Sequence, residues 1–149
     1  MIFPALFTSS SPDETFALGK RTAPLLERGG IVALRGPLGA GKTCFVKGIA
    51  EGLGIKDEVT SPTYTIVSEY EGSLSGEAFV FYHIDAYRLN GDEDFTAIGG
   101  EDIIFGAGIS VIEWSERIPG FIPPEALRVE IELEQDGKRL IRMYRGNGT

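Results

Sequence analysis

The stretch Gly36-Pro37-Leu38-Gly39-Ala40-Gly41-Lys42-Thr43 decides how the chain folds, and the apolar run Ile31-Val32-Ala33-Leu34 leads directly into it. The pattern is G-x-x-x-x-G-K-T, and residues 44–53 after it have the apolar spacing of an amphipathic helix. A strand, a glycine-rich turn and a helix in this order are the context that a phosphate-binding P-loop requires. Glycines let the backbone wrap tightly, so that successive N–H groups can point at one anion. The stretch therefore predicts a site for a nucleoside triphosphate.

The loop also predicts which groups would meet the phosphates. Lys42 has the position that reaches the β- and γ-phosphates, and the Thr43 hydroxyl has the position that ligates the accompanying Mg²⁺. The following helix adds its N-terminal N–H groups and the positive end of its dipole. We expect the nucleotide to contact Gly36, Leu38, Gly39, Ala40, Gly41, Lys42, Thr43 and Cys44.

Composition limits the classes of function. The 149 residues fit a single domain over residues 1–149, with 42% apolar and 24% charged residues. The net charge of −8 disfavours direct non-specific binding to DNA or RNA, which depends on basic patches. No apolar run approaches the ~20 residues of a membrane helix, and the first residues do not resemble a secretory signal. We therefore expect a cytoplasmic protein without a membrane partner.

The single cysteine, Cys44, excludes an internal disulfide, which agrees with the cytoplasmic expectation. It would be a weak nucleophile, because His83 is the only histidine that could act as its base. We interpret Cys44 as a small buried residue.

Further elements follow from local patterns. Ser11-Pro12-Asp13-Glu14 predicts the start of a helix with a serine cap, and Pro24 should kink or shorten that helix. An alternating run over residues 65–70 and a second strand over residues 78–84 predict a β-hairpin, with its turn over residues 71–77.

The C-terminal part reads as strands. Residues 127–133 alternate between apolar and charged side chains, as in a strand with one solvated face, and residues 139–144 form the last strand after a tight turn. Together the elements predict an α/β fold: a single-domain P-loop NTPase with a mixed, mostly parallel central sheet, flanking helices and β-hairpin insertions.

Two predicted strands end in an acidic residue. Asp85 follows the strand over residues 78–84, and Glu113 follows a buried strand over residues 108–112. P-loop proteins place a carboxylate for Mg²⁺ at such a strand end. The residues alone leave Asp85 and Glu113 as two candidates for that role.

The loop does not settle the reaction. The chain lacks the N-K-x-D tetrapeptide with which GTP-binding switches read guanine, so ATP is the expected nucleotide. Small-molecule kinases usually carry a lid with several arginines, whereas Arg88 and Arg117 are the only arginines between the loop and the C-terminal strands. An ATPase is therefore favoured. A small-molecule or protein kinase, and a nucleotide-dependent interaction module with negligible chemistry, remain the alternatives.

Four stretches together resemble the TsaE (YjeE) family of bacterial ATPases. Their order and spacing agree from about Ser11 to Ile131, with Pro37 in place of a usual aspartate and Ala86 in place of a common leucine. The four are Gly36 to Thr43, which resembles G-D-L-G-A-G-K-T; residues 61–70, similar to S-P-T-Y-T-L-V-x-x-Y; residues 83–89, similar to H-F-D-L-Y-R-L; and residues 111–116, similar to V-E-W-x-E.

Membership would imply a role in installing threonylcarbamoyl on the adenosine next to the anticodon of ANN-decoding tRNAs. The resemblance implies ATP and Mg²⁺ as cofactors and a TsaB–TsaD heterodimer as partner. It implies contact with tRNA only through that complex. It also implies an ATPase that is slow alone and stimulated by its partners, while the carbamoyl chemistry takes place elsewhere.

The resemblance also implies residue roles. Glu113 would hold Mg²⁺, directly or through a water, and Asp85 would support the magnesium–water network, although chemistry alone allows the reverse. Thr63 would place a hydroxyl near the γ-phosphate, and Trp114 would be an aromatic of the nucleotide site or of an interface. The expected catalytic residues are Lys42, Asp85, Glu113 and Thr63, and the expected Mg²⁺ ligands are Thr43, Glu113 and Asp85.

Overall fold

A mixed seven-stranded sheet is the frame of the molecule, and the computed structural model describes residues 1–60 and 66–146. Three short 3-10 turns cover Ala23–Leu25, Ser115–Arg117 and Pro119–Phe121. The other elements, in chain order, are β1 (Ala5–Ser9), α1 (Pro12–Thr22), β2 (Ile31–Arg35), α2 (Lys42–Gly52), β3 (Val67–Leu74), β4 (Glu77–Asp85), α3 (Asp92–Ala97), α4 (Gly100–Ile104), β5 (Ile109–Glu113), β6 (Leu127–Leu133) and β7 (Arg139–Arg145).

The strands lie in the order β1-β7-β6-β2-β5-β4-β3. The four middle strands, β6, β2, β5 and β4, are parallel to each other, and the other three pairings are antiparallel. The α/β architecture with a mixed sheet and hairpins is thus confirmed, and three of the six strand pairings are parallel and three antiparallel. The β3–β4 and β6–β7 pairings are antiparallel because these strands are joined by short turns, which can connect only antiparallel strands.

Two hydrophobic clusters cover the two faces of the sheet. Helices α1 and α2 pack on one face, where Val32 and Leu34 of β2 contact Phe45 and Ile49 of α2 in a buried cluster. The second cluster lies on the opposite face, between the sheet and α3, α4 and the 3-10 turns. Strand β2 is buried on both faces, which explains why its sequence is continuously apolar.

Helices α1 and α2 approach so closely that glycine is required at their contact. A Cβ atom added at Gly19 would overlap the backbone oxygen of Phe45, and one added at Gly48 would overlap the backbone oxygen of Phe16. This close packing brings the start of α1 beside the start of α2, where the glycine-rich loop ends.

The first helix begins at the predicted serine cap and ends at Thr22, two residues before Pro24. The Ser11 hydroxyl accepts a hydrogen bond from the backbone N–H of Glu14 at 3.2 Å. The Glu14 carboxylate accepts a hydrogen bond from the backbone N–H of Ser10. Pro24 lies in the 3-10 turn that follows α1, which confirms that it shortens the helix.

The hairpin turn is much shorter than the predicted turn over residues 71–77. Strand β3 runs to Leu74 and β4 starts at Glu77, so the turn consists of Ser75 and Gly76, with φ of 52° and 80°. Both positive φ values fit the two-residue turns that match the twist of a hairpin. The polar residues before and after the turn lie in strands, because a strand at the edge of a sheet tolerates polar side chains.

Candidate functional site

A cavity of about 450 Å³ lies between the glycine-rich loop and the ends of two strands. It is lined by residues 37–44 together with Asp85, Glu113 and Trp114. The structure thus brings together all the described residues that the sequence predicts for the site, except Gly36, whose carbonyl accepts a hydrogen bond from Lys42. The prediction for Thr63 lies outside the described residues.

The parallel part of the sheet explains why these residues meet. Leu34 of β2 pairs with Glu113 of β5, which in turn pairs with Asp85 of β4. The carboxyl ends of parallel strands lie at one edge of a sheet, where α/β proteins commonly bind their ligands. A larger cavity of about 540 Å³ surrounds Gly29 and Gly30 at the opposite end of β2, and it contains none of the predicted site residues.

Lys42 folds back over its own loop. Its side-chain ammonium donates hydrogen bonds to the backbone oxygens of Gly36 and Pro37, the latter at 3.2 Å. The same nitrogen lies 4.0 Å from the centroid of the Trp114 ring. Gly39 and Gly41 have φ of 79° and 98°, the left-handed conformation that glycine adopts readily, and they shape the turn before α2.

The environment of Lys42 favours an incoming anion. Burial lowers the pKa of Lys42, and the nearby carboxylates of Glu113, Glu116 and Asp85 offset this only in part. Lys42 is 6% exposed. Among the described residues, the hydrogen-bond acceptors of its ammonium are backbone carbonyls and not a carboxylate. An anion that replaced these carbonyls would stabilise the charged lysine, because an opposite charge nearby favours the ionised form.

Asp85 is half-buried at the end of β4. Burial raises the pKa of its carboxyl group, and the neighbouring Glu113 raises it further. The backbone N–H of Tyr87, which donates to Oδ1 at 3.0 Å, lowers the pKa of Asp85, as do the positions of His83 and Lys42. Two acidic residues side by side with incomplete compensation form a place where a cation would be stabilising.

Glu113 is held by a residue from the neighbouring strand. Its Oε2 lies 2.5 Å from Nε2 of His83, and both side chains are buried. His83 is 0% exposed, so it has no access to a substrate and is a core residue beside the site.

Trp114 adopts a conformation that is unusual for a large residue. Trp114 follows β5 directly and has a φ of 59°. A positive φ is a strained conformation for a residue other than glycine. The strained turn brings the indole against Tyr87, with ring centroids 4.9 Å apart, and over Lys42. Trp114 is therefore a partly exposed wall of the cavity rather than a core residue.

Cys44 departs from its prediction. It is only half-buried, because the first turn of α2 faces the start of α1 rather than the core. Its thiol donates to the backbone oxygen of Pro12 at 3.1 Å, and burial raises the pKa of the thiol. A raised pKa reduces the thiolate fraction, which agrees with the prediction that Cys44 is a poor nucleophile.

Arg139 is a site residue that the sequence does not reveal. From the first position of β7 it donates hydrogen bonds to the backbone oxygens of Ala40, at 3.2 Å, and Gly39, at 3.1 Å. The contact joins residues about a hundred positions apart. No local pattern indicates it, and it becomes visible only once β7 is placed beside the loop.

The donor set fits Mg²⁺ that arrives with a phosphate ligand. The Thr43 hydroxyl and the carboxylates of Asp85 and Glu113 line the cavity as oxygen donors. Within residues 1–60 and 66–146, no group of three or more His, Cys, Asp or Glu side chains is placed to hold a metal on its own. Mg²⁺ commonly binds through one or two carboxylates plus substrate phosphates, which is the arrangement that these residues allow.

The fold and the site define a class of α/β protein in which a glycine-rich loop joins a central parallel strand to a helix and faces two strand-end acids. The chain belongs to the TsaE family: the family model described as "Threonylcarbamoyl adenosine biosynthesis protein TsaE" matches residues 9–141. The resemblance indicated by the four sequence stretches is confirmed.

Individual relatives agree with this membership. A protein of Treponema pallidum named "tRNA threonylcarbamoyladenosine biosynthesis protein TsaE" is 44% identical over 133 residues, covering 89% of this chain and 95% of the relative. Proteins of the same name from Bacillus subtilis and Aquifex aeolicus are 39% and 40% identical, over 88% and 91% of this chain and 79% and 92% of theirs. The crystal structure of Bacillus subtilis YdiB is similar with a TM-score of 0.76 and 34% identity, covering 99% of this chain and 89% of that one.

Proposed function

We propose that this chain is an ATP hydrolase of tRNA threonylcarbamoyladenosine biosynthesis, with Mg²⁺ as its metal cofactor. The observation that carries the proposal is one cavity shared by the G-x-x-x-x-G-K-T loop and two strand-end carboxylates. In phosphoryl transfer the protein contributes almost entirely positioning and electrostatic stabilisation. The pathway is supported by the family membership and by the names of the relatives.

Each residue of the cavity then has a defined part. The loop N–H groups and the start of α2 bind the phosphates, and Lys42 exchanges its loop carbonyls for phosphate oxygens. The Thr43 hydroxyl and Glu113 would hold Mg²⁺, Glu113 directly or through a water, and Asp85 would support the magnesium–water network. When bound, the metal neutralises charge on the β- and γ-phosphates. The role of Thr63 near the γ-phosphate stays a prediction.

The composition of the cavity also supports dependence on partners. Asp85 and Glu113 are the only acidic residues of the described ranges that line it, and both are assigned to the Mg²⁺ site, which favours activation of the attacking water through partner contacts. We propose that hydrolysis is slow in the isolated chain and rises on binding a TsaB–TsaD heterodimer.

We further propose that this chain reaches tRNA only through that complex, in the cytoplasm. The modified nucleotide would be the adenosine beside the anticodon of ANN-decoding tRNAs. The net charge of −8 disfavours direct contact between this chain and tRNA. No helix in the described part of the chain is long and apolar enough to span a membrane.

A small-molecule or protein kinase is the alternative that uses the same loop. Kinases of this kind clamp phosphates with several arginines, and none of the described residues that line the cavity is an arginine. The two functions differ in product, because a kinase transfers the γ-phosphate to an acceptor whereas an ATPase releases it as free phosphate. Phosphate release in the absence of any acceptor would favour the ATPase.

The decisive experiment is the substitution Lys42→Ala. We expect loss of ATP binding, measured through the fluorescence of Trp114, and loss of phosphate release with and without TsaB, TsaD and tRNA. Trp114 is suitable because it is the only tryptophan and lies 4.0 Å from Lys42. The matched control is Lys47→Ala, a lysine of the same helix that does not line the cavity. ATP turnover by Lys42→Ala at the rate of Lys47→Ala would contradict the assignment.

A further inference from the structure

The buried contact between His83 and Glu113 has no part in the function proposed above. The two residues lie on neighbouring parallel strands, and His83 pairs with Val111, two residues before Glu113. His83 is 0% exposed and Glu113 is 4% exposed. Phe81 and His83 lie on the same face of β4, and Phe81 belongs to the hydrophobic cluster below α1 and α2, so His83 lies beside the hydrophobic core.

The contact between His83 and Glu113 has one arrangement of hydrogen that suits an ionised carboxylate. A carboxylate only accepts hydrogen bonds, so Nε2 of His83 is the donor to Oε2 of Glu113. The other ring nitrogen, Nδ1, is buried and has no hydrogen-bond partner among residues 1–60 and 66–146. A buried polar atom without a partner destabilises the fold, so an apolar side chain would suit this core position better.

The contact keeps two charged groups of the cavity apart. Lys42 and Glu113 both line the cavity, yet the described residues include no ion pair between them. Glu113 is the carboxylate with the largest electrostatic influence on Lys42. A Glu113 side chain that could rotate freely would be drawn toward the Lys42 ammonium and would neutralise the groups intended for metal and phosphate.

We propose that His83 is a positioning residue for the Mg²⁺ site, an inference that rests on the proposed function. Its Nε2–H occupies Oε2 of Glu113, fixes the carboxylate and leaves Oε1 for the cation or for a water bound to it. Residues that orient a metal ligand in this way typically change metal affinity by roughly 10- to 100-fold when they are replaced.

The first test compares two amides that differ in reach. In His83→Gln the amide nitrogen can lie where Nε2 of the histidine lies, whereas in His83→Asn it is too short to contact Glu113. ATP affinity is measured by Trp114 fluorescence in EDTA and during a Mg²⁺ titration. We expect His83→Asn to need roughly 10- to 100-fold more Mg²⁺, with unchanged affinity in EDTA, and His83→Gln to recover part of the loss.

Two comparisons define the outcome of this test. Tyr82→Phe, on the same strand but the opposite face, is the control and should leave the Mg²⁺ requirement unchanged. A folded His83→Asn protein with the Mg²⁺ requirement of the unaltered chain would overturn the proposal. If the unaltered chain bound ATP neither in EDTA nor with Mg²⁺, the proposed function would be contradicted instead. The two failures are therefore distinguishable.

A second measurement does not depend on the stability of any His83 variant. His83 is the only histidine, so its imidazole nitrogens give unambiguous nitrogen-15 signals in the unaltered protein. We expect the imidazole hydrogen to lie on Nε2 and the Nε2–H signal to exchange slowly with water. We also expect that signal to change in the Glu113→Ala variant. A hydrogen on Nδ1 alone, or a signal indifferent to Glu113→Ala, would overturn the positioning role.

Discussion

At the scale of single residues, the candidate site is a set of charges held in unfavourable surroundings. Lys42 is buried against backbone carbonyls, and Asp85 is half-buried beside Glu113. Each of these groups would be better solvated at the surface, and each would be compensated by a ligand of opposite charge. Mg²⁺ with a polyphosphate would supply both charges at once, so we expect the cation and the anion to bind cooperatively.

Asp85 provides a prediction about stability and pH. Its pKa is raised in the folded state, so the folded protein binds more protons than the unfolded chain over a range that starts near the ordinary value of 3.8. Stability contributed by this group therefore falls as pH rises through that range. We expect Asp85→Asn to be more stable than the unaltered chain at pH 7 without nucleotide or metal, with a smaller difference below pH 4.

Urea unfolding at a series of pH values, with the nucleotide-free protein in EDTA, measures this effect. Asp57→Asn, which removes a negative charge from an exposed residue outside the cavity lining, is the control. The same Asp85→Asn variant should bind ATP more weakly when Mg²⁺ is present. Lower stability of Asp85→Asn at pH 7 would show that the carboxylate is a favourable part of the empty site.

At the scale of elements, the glycine-rich loop depends on a strand that is distant in sequence. Arg139 at the start of β7 donates hydrogen bonds to the carbonyls of Gly39 and Ala40 in the loop. A P-loop binds phosphate through N–H groups that point inward. Because each carbonyl belongs to a peptide unit of the loop, these hydrogen bonds fix the orientation of those units, and they link the loop to the edge of the sheet formed by β7 and β1.

We expect Arg139→Gln to weaken ATP binding by roughly tenfold, because a hydrogen bond from a charged donor contributes about 1.5 kcal/mol and 1.4 kcal/mol corresponds to a factor of ten. The measurement is an ATP titration followed by Trp114 fluorescence. Arg142→Gln, an exposed arginine on the same strand, is the control for charge. Equal affinity of the two variants would mean that the loop keeps its shape without Arg139.

The elements also show what the sequence can predict. Strand β2, the loop and α2 were predictable because three local signals indicate the same strand–loop–helix unit. These signals are the spacing of the apolar residues, the spacing of the glycines and the Lys-Thr pair. Strand β1 was not indicated, because a five-residue edge strand with alternating exposure has too little pattern. Arg139 and the contact of His83 with Glu113 were equally hidden, because both depend on which strands become neighbours rather than on local sequence.

At the scale of the whole molecule, the overall charge and the lining of the cavity favour the proposed nucleotide site and disfavour direct binding of tRNA. The chain carries a net charge of −8, yet the cavity has a lysine, loop N–H groups and a helix start that attract phosphates locally. A nucleotide needs only this local field. A tRNA backbone needs an extended basic surface, because its affinity comes from neutralising many phosphates at once.

We therefore expect the isolated chain not to retain an ANN-decoding tRNA in a gel-shift assay at 150 mM salt, and to retain it once TsaB, TsaD and ATP are added. The same mixtures should show phosphate release that rises severalfold over the chain alone. The control is Lys42→Ala with the same partners, which separates recruitment of tRNA from nucleotide binding. Retention of tRNA by the isolated chain, with a steep loss of affinity as salt increases, would place a basic nucleic-acid surface on this acidic protein and would contradict an indirect route to tRNA.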